Sequence, residues 1–218
     1  MPMTAQVLPT AYQKETYASL DRFISYYYQC ELVRRVGPQT ILFIGVGDGV
    51  VVDLLKRNPK YRVTTLDLDA RLRPDVVGDV RALPFPDQSF GLICVFEVLE
   101  HMPFAESIVA LGELARVARG AVALSVPHRR SGIAFAFKLP FMRRMFARSV
   151  VWGALLLPVR FPGFAKSGQH HWEIDGWTMP LRSFRRALHA HFTIIADFTP
   201  PLDHYHHFFL LQSRHPSA

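Results

Sequence analysis

Three glycines that follow an apolar run carry the first chemical signal of the chain. The run Thr40–Ile44 leads into Gly45-Val46-Gly47-Asp48-Gly49, and a helical stretch follows. Glycines let a ligand approach the backbone closely, and the N-terminus of the next helix offers N–H groups. Asp67 stands at the end of the next predicted strand, where a carboxylate accepts both hydroxyls of a ribose. The pattern therefore predicts a pocket for an adenosine-containing cofactor.

The elements that must position this loop alternate between strands and helices. Alternation favours a parallel sheet with right-handed crossovers, and the absence of a helix between the last two strands predicts an antiparallel edge. We therefore expect a Rossmann-like, doubly wound α/β fold with a mostly parallel seven-stranded sheet, an antiparallel edge strand and an insertion after the fifth strand. The predicted strands are Thr40–Ile44, Tyr61–Leu66, Val76–Val77, Phe90–Phe96, Ala121–Val126, His191–Thr199 and Tyr205–Gln212.

The length of the chain fits a single domain over residues 1–218. It is predicted to include an N-terminal helical segment at 10–37 and an insertion or lid at 128–176, within which no regular pattern is found. Helical spacing assigns one stripe of the N-terminal helix to the core. That stripe consists of Leu20, Phe23, Ile24, Tyr27, Tyr28 and Leu32.

Charge and cysteine content limit the location and partners of the chain. The net charge is +7, yet no Asp or Glu occurs from Leu114 to Trp172. The stretch 131–166 mixes arginines with aromatic and aliphatic residues, which suits peripheral contact with an anionic membrane or a lid with a basic outer face, but not nucleic acid. Two distant cysteines, no secretory signal and no apolar run long enough to span a bilayer predict a cytoplasmic protein.

A series of short motifs resembles the class I S-adenosylmethionine-dependent methyltransferases of the type 11 group, over roughly Thr40 to Val126. Two positions depart from the family pattern: Phe43 replaces the acid that usually stands two residues before the first glycine, and Gly91 replaces an Asp. The matching pieces are Ile44-Gly45-Val46-Gly47-Asp48-Gly49, Asp67, Gly78-Asp79, Leu83-Pro84-Phe85, Asp87, Ser89-Phe90 and Leu99-Glu100-His101.

The resemblance implies S-adenosylmethionine as the cofactor and a role for each matching residue. Parts of the loop contact the methionine moiety, one acid binds the ribose, and residues after the fourth strand lie beside the sulfonium. The implied cofactor-binding residues are Gly45, Val46 and Gly47 for methionine, Asp67 for ribose, Leu68, Asp79 and Val80 for adenine, and Phe96 and Glu97 for the sulfonium.

Methyl transfer to oxygen or nitrogen also calls for a base, and histidine is the natural choice near neutral pH. His101 follows the fourth strand, His171 lies in a His-His-Trp-Glu run at the end of the insertion, and His207 belongs to a histidine-rich tail strand. These three are the predicted catalytic residues. No metal site is predicted, because no cysteine and only one carboxylate lie near the tail histidines.

Two other classes of function stay open at this point. Phe43 and Gly91 are compatible with a catalytically degraded, methyltransferase-like protein that binds a partner or a membrane. A nicotinamide oxidoreductase shares the fold class, but the GxGxG spacing and the Leu99-Glu100-His101 run speak against it. If the chain is a methyltransferase, we expect its acceptor to be a small molecule, and the apolar insertion favours one that is apolar or lipid-linked.

Overall fold

A computed structural model describes residue 17 and residues 19–128, 131–137, 151–157, 170–175 and 179–214. The predicted N-terminal helical segment is described from residue 17 onwards, and its first residues lie outside the described ranges. Four helices are described: α1 (Leu20–Val36), α2 (Val50–Lys56), α3 (Phe104–Val117) and α4 (Leu181–His189). The strands are β1 (Thr40–Ile44), β2 (Arg62–Asp67), β3 (Val76–Val77), β4 (Phe90–Phe96), β5 (Ala118–Pro127), β6 (Ser131–Phe137), β7 (Val151–Leu157), β8 (Phe192–Phe198) and β9 (His206–Ser213).

Seven of these strands form one sheet in the order β3-β2-β1-β4-β5-β9-β8. The first five strands are parallel, whereas β9 runs antiparallel to both β5 and the edge strand β8. The predicted doubly wound α/β fold is confirmed. Because the chain moves outward from β1 to β3 and then returns to β4, the sheet has its switch point between β1 and β4.

Both faces of this sheet are covered, which explains why its central strands are continuously apolar. Alternate residues of β1 point to opposite faces: Leu42 and Ile44 pack in the core beneath α3 and α4, whereas Ile41 and Phe43 pack beneath α1 and α2. Phe43, which stands where the family has an acid, is therefore a core residue that contacts the Phe96 ring.

Helix α1 buries a different face from the one that helical spacing predicts. Leu20, Phe23 and Tyr27 of the predicted stripe are 76%, 54% and 57% exposed. The buried face includes Tyr26, Ser25, Gln29, Leu32 and Val33, and the Gln29 side chain donates to Ser25 Oγ at 3.2 Å. Because these buried polar groups satisfy each other, the helix docks on a face that is not its most apolar one.

The insertion contains regular structure where none is predicted. Strands β6 and β7 pair antiparallel in a separate two-stranded sheet, with Ala134 opposite Ala154. Residues 170–175 then return to the main core, where Trp172 is buried and its indole N–H donates to the Met102 carbonyl at 3.1 Å. Among the described residues, the helices are too short or too polar to cross a bilayer.

Two glycines permit a close approach of backbones at the end of the sheet opposite the glycine loop. The pairing of β4 with β5 shifts register between Phe90 and Leu92. At this irregularity, a Cβ added to Gly120 would lie 2.5 Å from the Gly91 carbonyl oxygen. Gly91, the second departure from the family pattern, therefore belongs to a packed bulge.

We predict that Gly120→Ala lowers the free energy of unfolding by about 1–3 kcal/mol, because backbone atoms must shift to admit the methyl group. The measurement is urea denaturation followed by circular dichroism. Gly112→Ala is the matched control: it lies in α3, and its Cβ would meet only the His191 ring at 3.9 Å. This control should gain about 0.5–1 kcal/mol. Equal stability of Gly120→Ala and the wild type would contradict the close approach.

Candidate active site at the switch point

The glycine loop turns sharply at the carboxyl end of β1. Gly45, Gly47 and Gly49 have φ angles of 82°, 58° and 80°, a region that favours glycine. A Cβ at Gly45 would lie 2.7 Å from Cγ2 of Val98, so the loop packs directly against the segment that follows β4. At Gly47 and Gly49 an added Cβ would meet no atom within 4 Å. Open space therefore adjoins the loop on that side.

Asp67, the predicted ribose ligand, is bound to this loop. Its Oδ2 accepts the Val46 backbone N–H at 2.8 Å, and its Oδ1 accepts the Asp69 backbone N–H at 2.9 Å. Each carboxylate oxygen has a second acceptor position, so both can also accept a hydroxyl. The carboxylate thus fixes the loop and keeps the capacity to bind a ribose.

The residues predicted at the adenine differ in their environments. Leu68 is half-buried and Val80 is buried. Asp79 pairs with Arg81 at 2.5 Å, and these hydrogen bonds hold the pKa of its carboxyl below the usual value. Arg81 also bonds Glu106 of α3. An adenine amino group would therefore share Asp79 with a guanidinium, and the contact of Asp79 with adenine stays a prediction.

The two residues predicted at the sulfonium lie at the end of β4 and have different roles. Phe96 is buried and packs against Phe43 and Phe208. Glu97 adopts a φ of +54°, which is rare for residues other than glycine. Ser125 of β5 holds it there: its carbonyl accepts the Glu97 N–H at 3.1 Å, and its hydroxyl donates to Glu97 Oε1 at 2.9 Å. Such backbone strain is often found at functional sites.

Helix α1 and Tyr17, which precedes it in the chain, approach the loop from one side. The Tyr26 hydroxyl donates to Asp48 of the loop. Burial, together with the charges of Asp48 and Glu97, raises the pKa of the Tyr17 hydroxyl, and the Arg22 guanidinium stacks 4.6 Å from the Tyr17 ring centroid. The N-terminal segment therefore supplies polar side chains near the site.

A cluster of acids and histidines follows β4. Glu100 is fully buried, and burial, reinforced by the nearby charge of Glu97, raises the pKa of its carboxyl well above the usual range. The rings of His101 and His170 lie 4.9 Å apart. Ligand atoms of Glu100, His101 and His170 all lie within 4.8 Å of one another, and this is the one group with metal-binding spacing among the described residues.

The predicted catalytic residue His171 is placed differently from its neighbour. Its side chain is on the exposed surface, and its backbone N–H donates to the Glu100 carbonyl at 2.8 Å. His170 points inward and its Nδ1 lies 3.1 Å from Glu173 Oε1. Of the two adjacent histidines, the structure therefore brings His170 rather than His171 to the His101 ring.

His206 at the start of β9 faces Glu97. Its Nδ1 lies 2.5 Å from Asp203 Oδ2, and its Nε2 lies 3.9 Å from Glu97 Oε2 with no hydrogen-bond partner. Burial lowers the pKa of this imidazole, but the charges of Glu97 and Asp203 outweigh burial and raise it. The arrangement is that of a histidine oriented by one carboxylate, with its other nitrogen directed at the site.

His207, also predicted to be catalytic, points to the opposite face of the sheet, because successive strand residues alternate. Its Nε2 lies 2.7 Å from Asp197 Oδ1 and its Nδ1 lies 2.8 Å from Thr199 Oγ1. His128 contacts the same hydroxyl at 3.0 Å. The geometry thus gives His207 a structural role and does not support it as a base, since both ring nitrogens are engaged away from Glu97. His206 and His207 also cannot share a metal ion.

Comparison with known proteins identifies the segment that carries the loop. A family model described as a methyltransferase domain matches residues 42–124. Residues 42–124 are therefore similar to a methyltransferase domain. The match contains most of β1, the glycine loop, Asp67, Asp79 and the run from Glu97 to His101, which are the residues that the switch point gathers.

One relative in sequence is also a methyltransferase. Over 76 residues the chain is 38% identical to the demethylmenaquinone methyltransferase of Thermotoga maritima, a match covering 30% of this chain and 33% of that relative. The chain thus matches a third of the length of this relative.

Two solved structures share the fold across most of the chain. The N-methyltransferase NodS from Bradyrhizobium japonicum, in complex with S-adenosyl-L-homocysteine, has a TM-score of 0.57 at 11% identity and covers 91% of this chain and 90% of its own. The 1,6-didemethyltoxoflavin-N1-methyltransferase of Burkholderia thailandensis, with bound 1,6-didemethyltoxoflavin and S-adenosylhomocysteine, has a TM-score of 0.54 at 18% identity, covering 97% and 93%.

Several residues at the site are not among the cofactor-binding and catalytic residues that the sequence predicts. Arg22 and Tyr26 come from a helix whose pattern suggests only packing, and Tyr17 precedes that helix, so no sequence signal marks them. Asp203 and His206 stand three residues apart in a histidine-rich tail, which is a weak signal for a bonded pair. These residues join the site through tertiary contacts alone.

The half-buried ion pairs of Asp197 with Arg185 and His207 predict acid sensitivity. Burial raises the pKa of the Asp197 carboxyl, but hydrogen bonds from His207 and Arg185 outweigh burial and hold it well below its usual value. This stabilisation is present above the ordinary aspartate pKa of about 3.9 and is lost as the pH falls toward the folded-state value. Asp197→Asn should therefore lose about 1–3 kcal/mol at neutral pH and less in acid.

The measurement is chemical denaturation over a series of pH values. Asp53→Asn, at an exposed position of α2, is the control and should change stability little. A loss of stability in Asp197→Asn that is the same at every pH would refute the coupling of Asp197 to His207 and Arg185.

Proposed function

We propose that this chain transfers the methyl group of S-adenosylmethionine to a small-molecule acceptor. The observation that carries the proposal is the packing of the glycine loop against Val98, with Asp67 bound to the loop and Glu97 next to Val98 in the chain. This constellation lies within a methyltransferase domain. It is the place where open α/β sheets bind their ligands.

The residues around the loop fit this cofactor. S-adenosylmethionine supplies a methyl group on a positively charged sulfur, which activates the carbon for displacement. Asp67 accepts the ribose hydroxyls, and the open space beside Gly47 and Gly49 admits the methionine moiety. The carboxylates of Asp48 and Glu97 favour the positive charges of the ammonium and the sulfonium. Two neighbours with the same fold contain the demethylated product, which supports this choice.

The protein must then position the acceptor, exclude water and remove a proton. We assign the proton-accepting role to His206, because its unpaired Nε2 faces Glu97 and Asp203 orients the ring. His101 remains a candidate beside the same site, and His171 remains a prediction from the sequence. His207 is left out of this assignment because its ring nitrogens are bonded elsewhere.

The acceptor class rests on the insertion. The neighbour from Burkholderia thailandensis contains a bound small molecule, which supports a small-molecule acceptor. The stretch 131–166 is apolar, basic and free of acids, and we propose that it recognises an apolar or lipid-linked acceptor at an anionic membrane. Phe135 of β6 is 46% exposed, in line with such a surface. A cytoplasmic location, at the inner face of a membrane, is part of this proposal.

No observation favours the alternative of a degraded site. Phe43 lies in the core against Phe96, and Gly91 lies at the packed bulge near Gly120. Neither departure from the family pattern therefore removes a side chain from the described site.

We expect calorimetric titration to show saturable binding of S-adenosylmethionine and of S-adenosylhomocysteine, and none of NAD. Asp67→Ala should weaken both affinities by about 10- to 100-fold, because hydrogen bonds to a charged group are lost. Asp87→Ala is the control, since Asp87 is 72% exposed at the opposite end of β4. Unchanged affinity in a folded Asp67→Ala variant would refute the assignment, and no binding by the wild type would favour the degraded site.

A panel of acceptors tests the second half of the proposal, with product analysis by mass spectrometry. Soluble phenols and amines are compared with lipid-linked acceptors in anionic liposomes, and pelleting with the liposomes reports membrane contact. We expect lipid-linked acceptors to be methylated fastest.

His206→Gln should lower kcat by about 100-fold or more and remove a limb of the pH profile, with unchanged cofactor affinity. Methylation of soluble polar acceptors alone would exclude the lipid-linked class, and an unchanged pH profile would exclude His206.

A further inference from the structure

The carboxylate of Glu100 is the least satisfied polar group near the site. The residue is fully buried, and neither side-chain oxygen has a hydrogen-bond donor within reach; the group that approaches it most closely is another carboxyl, that of Glu97. Isolation of a carboxylate from water is strongly unfavourable unless a cation, a donor or a proton compensates it. The nearby carboxylate of Glu97 adds a second negative charge, which makes a bound cation or proton more favourable here.

The imidazoles of His101 and His170 lie close to this carboxylate and could bind a cation together with it. One ligand atom each from Glu100, His101 and His170 lies within 4.8 Å of the others. Glu100 and His101 come from the short 3-10 helix that follows β4, whereas His170 comes from the far side of the insertion. The His171 backbone N–H donates to the Glu100 carbonyl, which fixes the second segment against the first.

The orientation of His170 matches that of a metal ligand. Its Nδ1 lies 3.1 Å from Glu173 Oε1 and 3.4 Å from the Tyr205 hydroxyl. A carboxylate on one ring nitrogen fixes the tautomer and makes the other nitrogen a better ligand, as in carboxylate–histidine–zinc triads. Glu173 therefore supports Nε2 of His170 as the coordinating atom.

We propose that Glu100, His101 and His170 bind one divalent transition-metal ion, with Zn²⁺ as the best match to two imidazoles and one carboxylate. A zinc ion holds such ligands at about 2.0–2.1 Å in a tetrahedron, which places them about 3.3–3.4 Å apart, so ligand atoms that now lie within 4.8 Å of one another would approach by at most about 1.5 Å on binding. Sequence reasoning predicts no metal, because it considers only the tail histidines. The site combines residues almost 70 positions apart and is independent of the methyl-transfer proposal.

Three protein ligands leave a fourth position for water or for an oxygen of a bound molecule. Glu97, at the end of β4, is close enough to Glu100 for its charge to raise the pKa of that carboxyl. If the chain transfers methyl groups as proposed above, we expect the fourth position to bind a hydroxyl oxygen of the acceptor and to favour its deprotonation.

Calorimetric titration of the chelator-treated full chain with ZnCl₂, in the absence of S-adenosylmethionine, tests the site. We expect one tight site per chain, with weaker binding of Mg²⁺. Glu100→Gln keeps the shape of the side chain and should abolish this site, as should His170→Ala. Glu173→Gln should weaken binding by about 10- to 100-fold. Circular dichroism shows that each variant is folded.

His189→Ala is the matched control, because His189 is an exposed histidine of α4 outside the cluster. It should bind Zn²⁺ with the affinity of the wild type. The proposal would be overturned if the wild type bound no stoichiometric Zn²⁺, or if Glu100→Gln and His170→Ala both bound Zn²⁺ with the affinity of the wild type. The buried carboxyl of Glu100 would then be compensated by a proton shared with Glu97. Cofactor titration is a separate measurement, so failure of this site and failure of the proposed function remain distinguishable.

Discussion

The parallel pairing of β1 with β4 is the constraint on which the site depends. Ile44 lies beside Val95 in this pairing, so the loops that follow the two strands leave the sheet side by side. The absence of a side chain at Gly45 lets the first loop pack against Val98 of the second. A larger residue there would push apart the two loops that carry Asp67's partner Val46 and Glu97. The chain connects these strands through β2 and β3, so both loops leave the sheet at its switch point, where open α/β sheets bind their ligands.

A second constraint is the charge that the site collects. Glu97, Glu100 and Glu173 act together to raise the pKa of the Tyr205 hydroxyl, after the larger effect of burial. His206, which pairs with Asp203, contributes one counter-charge. An excess of carboxylates in a partly buried crevice attracts cations, and a sulfonium, an ammonium and a metal ion are all cations. One electrostatic feature thus underlies both proposals.

Two adjacent histidines of β9 show how a strand separates a ring that faces Glu97 from a ring that is hydrogen-bonded on both nitrogens. His206 and His207 are neighbours in sequence and both are buried. His206 has one nitrogen without a partner, whereas both nitrogens of His207 are bonded to groups that are themselves anchored. Burial and residue type do not separate the two residues. The strand pleat does, because it directs one ring to the crevice and the other to the packed layer beneath α4.

The sequence by itself determined the fold class, the glycine loop and its partner Asp67, because local chemistry fixes all three: strand–glycine–helix order, continuous apolar strands and an acid at a strand end. Only the tertiary structure decided which face of α1 is buried, since docking of Tyr26 on Asp48 overrides the apolar stripe. The tertiary structure alone also shows that His170, rather than His171, lies beside the His101 ring, and that His206, rather than His207, faces Glu97. Such choices depend on contacts between segments far apart in the chain, and sequence periodicity carries no information about the surface against which a segment will pack.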